Sequence, residues 1–316
     1  MFNIIVTARS FGQANPEPIR LLEENGCRIE KLNIMNPLSA SELLALVAEA
    51  DGIIAGLDQY DALVIENAKR LKVISRYGVG YDNVDLEAAK RKGVAVTFTP
   101  GTNENSVADL AMTLLLCASR NIVSMDKYVK SGLGSRVIGS EMWKKTLGII
   151  GTGRIGKGLA RRAVGFSMNI LAYDAYPDTA FAQQVGLTYC SLDRLLRESD
   201  FISIHCPLTD ETRSLIGAAE FAVMKPTAVL VNTARGGIVD EEALYNALVQ
   251  KKIAAAALDV TVQDPPTGSP LLGLDNCIIT PHIGGYTRDA VLNMGMLAAR
   301  NLIAVLKGEP CEFRVV

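Results

Sequence analysis

Residues 145–156 read KTLGIIGTGRIG: an apolar run, a glycine-rich turn and the opening of a helical pattern. A lone GxGxxG carries little weight. This one follows a strand pattern and precedes a helix pattern, the context that a dinucleotide-binding turn needs. Gly151 permits the tight turn, Gly153 lets a pyrophosphate approach the backbone, and Gly156 lets the helix pack on the strand. The diphosphate would rest on the free amides and positive dipole end of that helix. The next apolar run, LAYD, ends in Asp174. A carboxylate there accepts hydrogen bonds from the adenosine ribose hydroxyls and repels a 2′-phosphate. Ala175, Tyr176 and Pro177 follow it rather than an arginine, which favours NAD over NADP.

Strand and helix patterns alternate on both sides of this stretch. Upstream, strands are expected at 2–7, 27–32, 52–55, 73–75 and 94–98, with helices at 16–25, 41–50 and 86–92. PGTNEN at 100–105 breaks the pattern. A long helix follows at 106–119, with Ser106 as N-cap and Asp109 in the capping-box position. Downstream strands at 146–150, 170–173, 201–205, 228–232, 254–259 and 277–280 are joined mostly by helices at 155–164, 218–224 and 241–250. Residues 288–307 read as one amphipathic helix closed by Gly308. Such alternation predicts an α/β fold with parallel sheets covered by helices.

The 316 residues suit two domains. A 49 % hydrophobic and 21 % charged composition excludes a disordered chain. With 32 Lys+Arg against 34 Asp+Glu and no basic stripe, nucleic acid is not an expected partner. No uninterrupted apolar run reaches the ~18–20 residues that span a bilayer, so no membrane partner is expected either. The opening MFNIIVTARS reads as a strand, not a signal peptide. Six cysteines, none in a CxxC pair, read as buried free thiols in a reducing, cytoplasmic compartment. Two histidines make a metal site unexpected and leave two candidates, His205 and His282, for any imidazole chemistry.

Three segments end strand patterns and should converge, because open α/β sheets bind ligands beyond the carboxyl ends of their strands. VLVNTARGGIVDE (229–241) delivers Arg235, ALDVTVQDPP (257–266) carries Asp259 and Asp264, and IITPHIGGYT (278–287) delivers His282. Upstream, RYGVGYDN (76–83) follows a strand with glycines that expose amides in an anion-binding turn.

Together with HCPLTDETRSLI (205–216), these stretches resemble the D-isomer-specific 2-hydroxyacid dehydrogenase family, its phosphoglycerate dehydrogenase-like branch in particular, over nearly the whole chain. The resemblance implies two Rossmann/flavodoxin-like α/β domains, the dinucleotide-binding domain inserted into the substrate domain. The substrate domain would comprise 1–99 and 287–316, and the NAD-binding domain 100–286. It implies His282 as acid–base, Arg235 gripping the carboxylate and reacting oxygen, and a carboxylate on the far imidazole nitrogen. The family has glutamate there, whereas this chain has Asp264, one methylene shorter, expected to pair with His282 directly or through a water.

For the cofactor, the resemblance implies contacts from Arg154 and Ile155 at the helix opening and from His205, Pro207 and Thr212 beside the ribose. Thr233 and Asp259 fall on the nicotinamide side, and Gly284 leaves room for the ring. His205 otherwise reads as a satisfied, partly buried residue. For the substrate, it implies the amides of Val79 and Gly80 on the carboxylate and Asn103 facing the reacting group. Arg76 is a candidate for a second anionic group such as a phosphate.

The expected activity is NAD-dependent interconversion of a small D-2-hydroxy acid and its 2-oxo acid, D-3-phosphoglycerate first. Glyoxylate or hydroxypyruvate reduction is the alternative, and a non-catalytic NAD sensor like the C-terminal-binding corepressors is a third reading. The resemblance also implies a homodimer with contacts around 101–150. The sequence stops soon after the closing helix, so no appended regulatory module is expected.

Overall fold

The computed structural model describes residues 1–32, 37–134 and 136–316. The chain divides into two compact units, 1–103 with 285–316, and 104–284. The expected borders, after 99 and after 286, sit a few residues from these. Local bonds account for the difference: Thr99 and Gly78 exchange hydrogen bonds within the first unit, whereas the Ser106 hydroxyl donates to Gly284 O within the second.

The first unit holds strands β1 (Phe2–Val6), β2 (Cys27–Lys31), β3 (Gly52–Ala55), β4 (Val73–Arg76) and β5 (Ala95–Thr97), all parallel in the order β2-β1-β3-β4-β5. That is the flavodoxin-like order. The central strands are buried throughout, as GIIA in β3 and VISR in β4 show, because helices cover both faces. On one face Leu43, Val47, Val64, Ile65 and Ala88 form a core with Ile53 and Ile74. On the other, Leu22 and residues Ala298, Ala299, Leu302 and Leu306 pack on Ile4, Val6 and Ile54. Helix Ala40–Val47 opens with a capping box of Ser39 and Glu42. The helix Ala62–Asn67, capped by Asp61, is too short to carry a periodic signal and was not expected from the sequence.

The closing helix Arg288–Lys307 is long and apolar enough in composition to cross a membrane, although charged residues interrupt the run. Its apolar face is spent on β3, β4 and helix Glu17–Glu24.

The second unit holds β6 (Thr146–Ile150), β7 (Asn169–Tyr173), β8 (Leu187–Tyr189), β9 (Phe201–Ile204), β10 (Val229–Asn232), β11 (Ala255–Leu258) and β12 (Cys277–Ile279). All are parallel, in the order β12-β11-β10-β9-β6-β7-β8. The order reverses between β6 and β9, which is the switch point where such sheets bind ligands. The three-residue β8 and the helices Ile122–Lys130, Thr179–Val185 and Leu192–Glu198 are additions to the expected elements.

One local expectation fails. The long helix runs Glu104–Ser119, so Ser106 lies inside it rather than at its cap. The Ser106 hydroxyl bonds Gly284 O at 2.6 Å, and Asp109 pairs with Arg162 at 2.6 Å. Neither side chain is left for a capping box.

Candidate active site

The glycine turn is built as its spacing demands. Gly151 has φ +92, and a Cβ on it would lie 2.6 Å from the Cys206 amide nitrogen. A Cβ on Gly156 would lie 2.1 Å from Gly151 O, so any side chain there would push the helix off the strand. A Cβ on Gly153 would meet nothing within 4 Å. Gly153 caps helix Arg154–Val164 without a side-chain bond, so the first-turn amides, Arg154 and Ile155 among them, have no side-chain cap.

Asp174 ends β7 and turns back on this loop. Its Oδ2 accepts from Thr152 N at 2.5 Å and from Thr152 Oγ at 2.9 Å, and its Oδ1 accepts from Tyr176 N at 2.8 Å. Partial burial works to raise its pKa. The bonds from Thr152 and Tyr176 and the nearby Lys157 ammonium outweigh it and hold the carboxyl below its ordinary value.

After β9, the His205 ring joins Ser203 Oγ through Nε2 at 2.9 Å, while its Nδ1 is buried without a partner among the described residues. The expectation of a fully satisfied histidine is therefore corrected. Burial pushes its pKa down to about 3, so the ring stays neutral and cannot serve as the acid–base group. Pro207 and Thr212 form a closed turn in which the Thr212 hydroxyl donates to Pro207 O at 2.6 Å and accepts from Thr209 N at 2.7 Å.

The depressed His205 pKa has a measurable consequence. Unfolding lets the imidazole recover a pKa near 6.5, so below that pH the unfolded chain binds the extra proton and stability falls as pH drops. At pH 4.5 the loss should reach about 2–3 kcal/mol from this group. Thermal unfolding of wild type and His205→Gln between pH 7 and 4.5 checks it, with the variant expected to show the shallower decline.

The loops after β10, β11 and β12 leave three adjacent strands on the same sheet edge. The buried Asn232 ends β10, and its side chain donates to Arg235 O at 2.8 Å and accepts from Ala234 N at 3.0 Å, which fixes the turn bearing Arg235. The Arg235 guanidinium bonds Ala234 O at 2.8 Å. A Cβ on Gly236 would lie 2.1 Å from Thr261 O, so glycine is needed for the two loops to touch. The neighbouring Thr233 hydroxyl is buried with no partner among the described residues.

Asp259 follows β11 and is 2 % exposed. Its Oδ1 accepts from Thr280 Oγ at 2.6 Å and Ile283 N at 2.8 Å, and its Oδ2 accepts from Gly284 N at 2.8 Å. Its backbone carbonyl also accepts from His282 N at 3.0 Å. Burial raises its pKa, opposed by these bonds. Asp259 thus holds the 280–284 loop. That loop places His282 at φ +54, a conformation rare for a residue with a side chain and frequent at functional sites.

Asp264 Oδ2 lies 3.2 Å from His282 Nδ1, both side chains about 30 % exposed. The shorter acid therefore reaches the ring without a bridging water. A carboxylate on Nδ1 leaves Nε2 to exchange a proton with a ligand.

In the first unit, Arg76, the candidate for a second anionic group, bonds the chain's own backbone. It is 4 % exposed, and its guanidinium donates to Gly80 O at 3.0 Å, to Ala55 O at 2.7 Å and to Gly56 O. These bonds to the chain's own carbonyls shape the turn. Among the described residues, neither the Val79 nor the Gly80 amide donates a hydrogen bond. Asn103 bonds Met294 Sδ through its amide nitrogen, and its Oδ1 is buried without a partner among the described residues.

These residues fit a dinucleotide. The open space above Gly153 and the uncapped helix start follow β6 at the switch point, and the unpartnered Thr233 hydroxyl follows β10 on the same sheet edge. Among the described residues no group of three His, Cys, Asp or Glu side chains is placed to hold a metal ion. Sequence reading missed Asn232, Thr152 and Tyr189 as supports. The first two lie inside quoted motifs, but nothing in the residue types showed what their side chains would bond.

Comparison with known proteins agrees with this geometry. Residues 112–284 match the family model described as D-isomer specific 2-hydroxyacid dehydrogenase, NAD binding domain. The chain is 43 % identical over 298 residues to a D-3-phosphoglycerate dehydrogenase of Archaeoglobus fulgidus; the match covers 93 % of this chain but only 56 % of that enzyme's length. It is 42 % identical over 281 residues to a glyoxylate reductase of Korarchaeum cryptofilum, covering 86 % of this chain and 85 % of that one. The crystal structure of a D-lactate dehydrogenase with NAD+ from Lactobacillus jensenii superposes with a TM-score of 0.79 at 29 % identity, over 99 % of both chains. The chain belongs to the D-isomer-specific 2-hydroxyacid dehydrogenase family of NAD-dependent oxidoreductases.

Proposed function

We propose that this chain interconverts a small D-2-hydroxy acid and its 2-oxo acid. The observation that carries the reading is the His282–Asp264 pair on a loop clamped by Asp259. NAD supplies the hydride acceptor for C2. Nε2 of His282 takes the hydroxyl proton in oxidation and returns it in reduction. Asp264 fixes the ring tautomer and orientation through Nδ1. Arg235 grips the substrate carboxylate and the reacting oxygen through its planar fork, polarising the carbonyl in the reductive direction. In the first unit the Val79 and Gly80 amides are donors suited to a carboxylate, and Asn103 offers its polar end to the substrate. Gly151, Gly153, Arg154, Ile155 and Gly156 cradle the diphosphate, Asp174 the adenosine ribose, and the turn of His205, Pro207 and Thr212 the second ribose. Thr233 and Gly284 serve the nicotinamide end.

The bonds from Arg76 to the carbonyls of Gly80, Ala55 and Gly56 weigh against its use on a substrate phosphate. An unphosphorylated 2-oxo acid of the glyoxylate or hydroxypyruvate kind is the first reading. D-3-phosphoglycerate is the second, since a relative of that activity and a glyoxylate reductase are matched about equally, at 43 % and 42 % identity. A panel of these acids assayed with NAD(H) and NADP(H) tests both. The expected result is the highest kcat/KM for glyoxylate or hydroxypyruvate with NADH. NAD binding with no turnover on any acid would overturn the enzyme in favour of a sensor.

The working unit is a homodimer in a reducing, cytoplasmic setting. Exposed Ile122, Val123, Val129, Leu133, Ile138 and Trp143 support the first, since so much apolar surface in one segment is costly in a monomer. The six free cysteines support the second. Light scattering on the same preparation should give twice the chain mass.

A further inference from the structure

Asp174 does not act alone. Its Oδ2 is bonded by the Thr152 hydroxyl, which also lies 2.9 Å from the Tyr189 hydroxyl, which in turn lies 3.0 Å from Asp178 N. The direction of these bonds is forced. An ionised carboxylate only accepts, so Thr152 spends its single proton on Asp174. Thr152 must then accept from Tyr189, and Tyr189 accepts from the Asp178 amide. Asp178 caps helix Thr179–Val185 through Phe181 N and pairs with Lys157 at 2.5 Å. Lys157 sits in the first turn of the glycine-loop helix, close enough to act on the Asp174 charge.

We infer that Tyr189 is a positioning residue for cofactor choice: through Thr152 it holds Asp174 against the glycine turn, so that the carboxylate meets the adenosine ribose as a fixed acceptor. This rests on the NAD reading above. Oδ2 is consumed inside the protein, while Oδ1 carries a single bond, from Tyr176 N, and keeps capacity for a ribose hydroxyl. Asp178 works in the same sense. By pairing with Lys157 it neutralises a cation near Asp174 that could otherwise welcome a 2′-phosphate. Nothing in the residue order of LTY advertises this role, since β8 is three residues long and its tyrosine reads as an ordinary strand aromatic.

The test is calorimetric binding of NAD, NADP and ADP-ribose to the unmodified chain, Tyr189→Phe, Thr152→Val and Thr152→Ser. Losing one directed hydrogen bond should weaken NAD and ADP-ribose about fivefold in Tyr189→Phe without weakening NADP, so the NAD/NADP preference falls. Thr152→Val should do the same, and Thr152→Ser, which keeps the hydroxyl, should restore the preference. The double variant Tyr189→Phe/Thr152→Val should lose no more preference than Thr152→Val alone. An unchanged preference in Tyr189→Phe and Thr152→Val, or an equal loss of NAD and NADP affinity, overturns the inference while leaving NAD binding intact. Failure of the unmodified chain to bind NAD overturns both the cofactor reading and this one.

Discussion

Replacing His282 with alanine is expected to lower turnover at least ~10²-fold, the usual contribution of a positioned acid–base group. The reasoning is one of elimination as well as geometry. The chain has two imidazoles. His205 is half-buried, held neutral by a pKa pushed down to about 3, and bonded to Ser203. It cannot take over the proton. His282 is partly exposed and carries its carboxylate partner on Nδ1 at 3.2 Å. The same variant should fold normally. The pair it breaks is solvent-accessible on both sides, and such pairs contribute up to about 1 kcal/mol. The left-handed backbone at 282 is already borne by a residue with a Cβ, so alanine adds little strain. Steady-state rates together with a melting curve check the two halves. Near-normal turnover in a folded variant would remove His282 from the chemistry.

The parts of this site that could be read from the sequence are those in which residue type dictates geometry. Gly151 and Gly156 were legible because only glycine survives a positive φ or a 2.1 Å approach, and the spacing between them records both needs. Gly93 and Gly308 announced helix ends for the same reason, each sitting in the left-handed region just past its helix. Short elements were not legible. β8 spans three residues and helix Ala62–Asn67 six, too few for a period to emerge, and both exist because neighbours complete their hydrogen bonds and cover their apolar sides. Ser106 and Asp109 show a different limit. Their pattern fits a cap, but tertiary partners, Gly284 O and Arg162, claim both side chains. Arg76 shows a related limit. Its place beside an anion-binding turn suggested a ligand, and only the fold reveals its bonds to Ala55, Gly56 and Gly80.

Asp259→Ala should cost nearly as much turnover as His282→Ala, and considerably more stability. The substitution leaves Thr280 Oγ, Ile283 N and Gly284 N without their acceptor at a position 2 % exposed. Each donor stranded away from water costs about 1–3 kcal/mol, so a loss of several kcal/mol is expected and a clear fall in Tm should record it. The catalytic loss has a separate origin. These bonds, with His282 N on Asp259 O, hold the segment that keeps His282 at φ +54 beside Asp264. The family resemblance offers another role for Asp259, contact with the nicotinamide carboxamide, and the two roles make opposite forecasts for the double variant. If Asp259 acts by placing His282, then once the imidazole is gone nothing remains to misplace. His282→Ala/Asp259→Ala should then turn over no more slowly than His282→Ala alone. If it acts on the cofactor directly, the two losses should multiply and NAD affinity should fall in Asp259→Ala by itself. The present geometry favours the first outcome, because three donors of the 280–284 loop already share the two carboxylate oxygens.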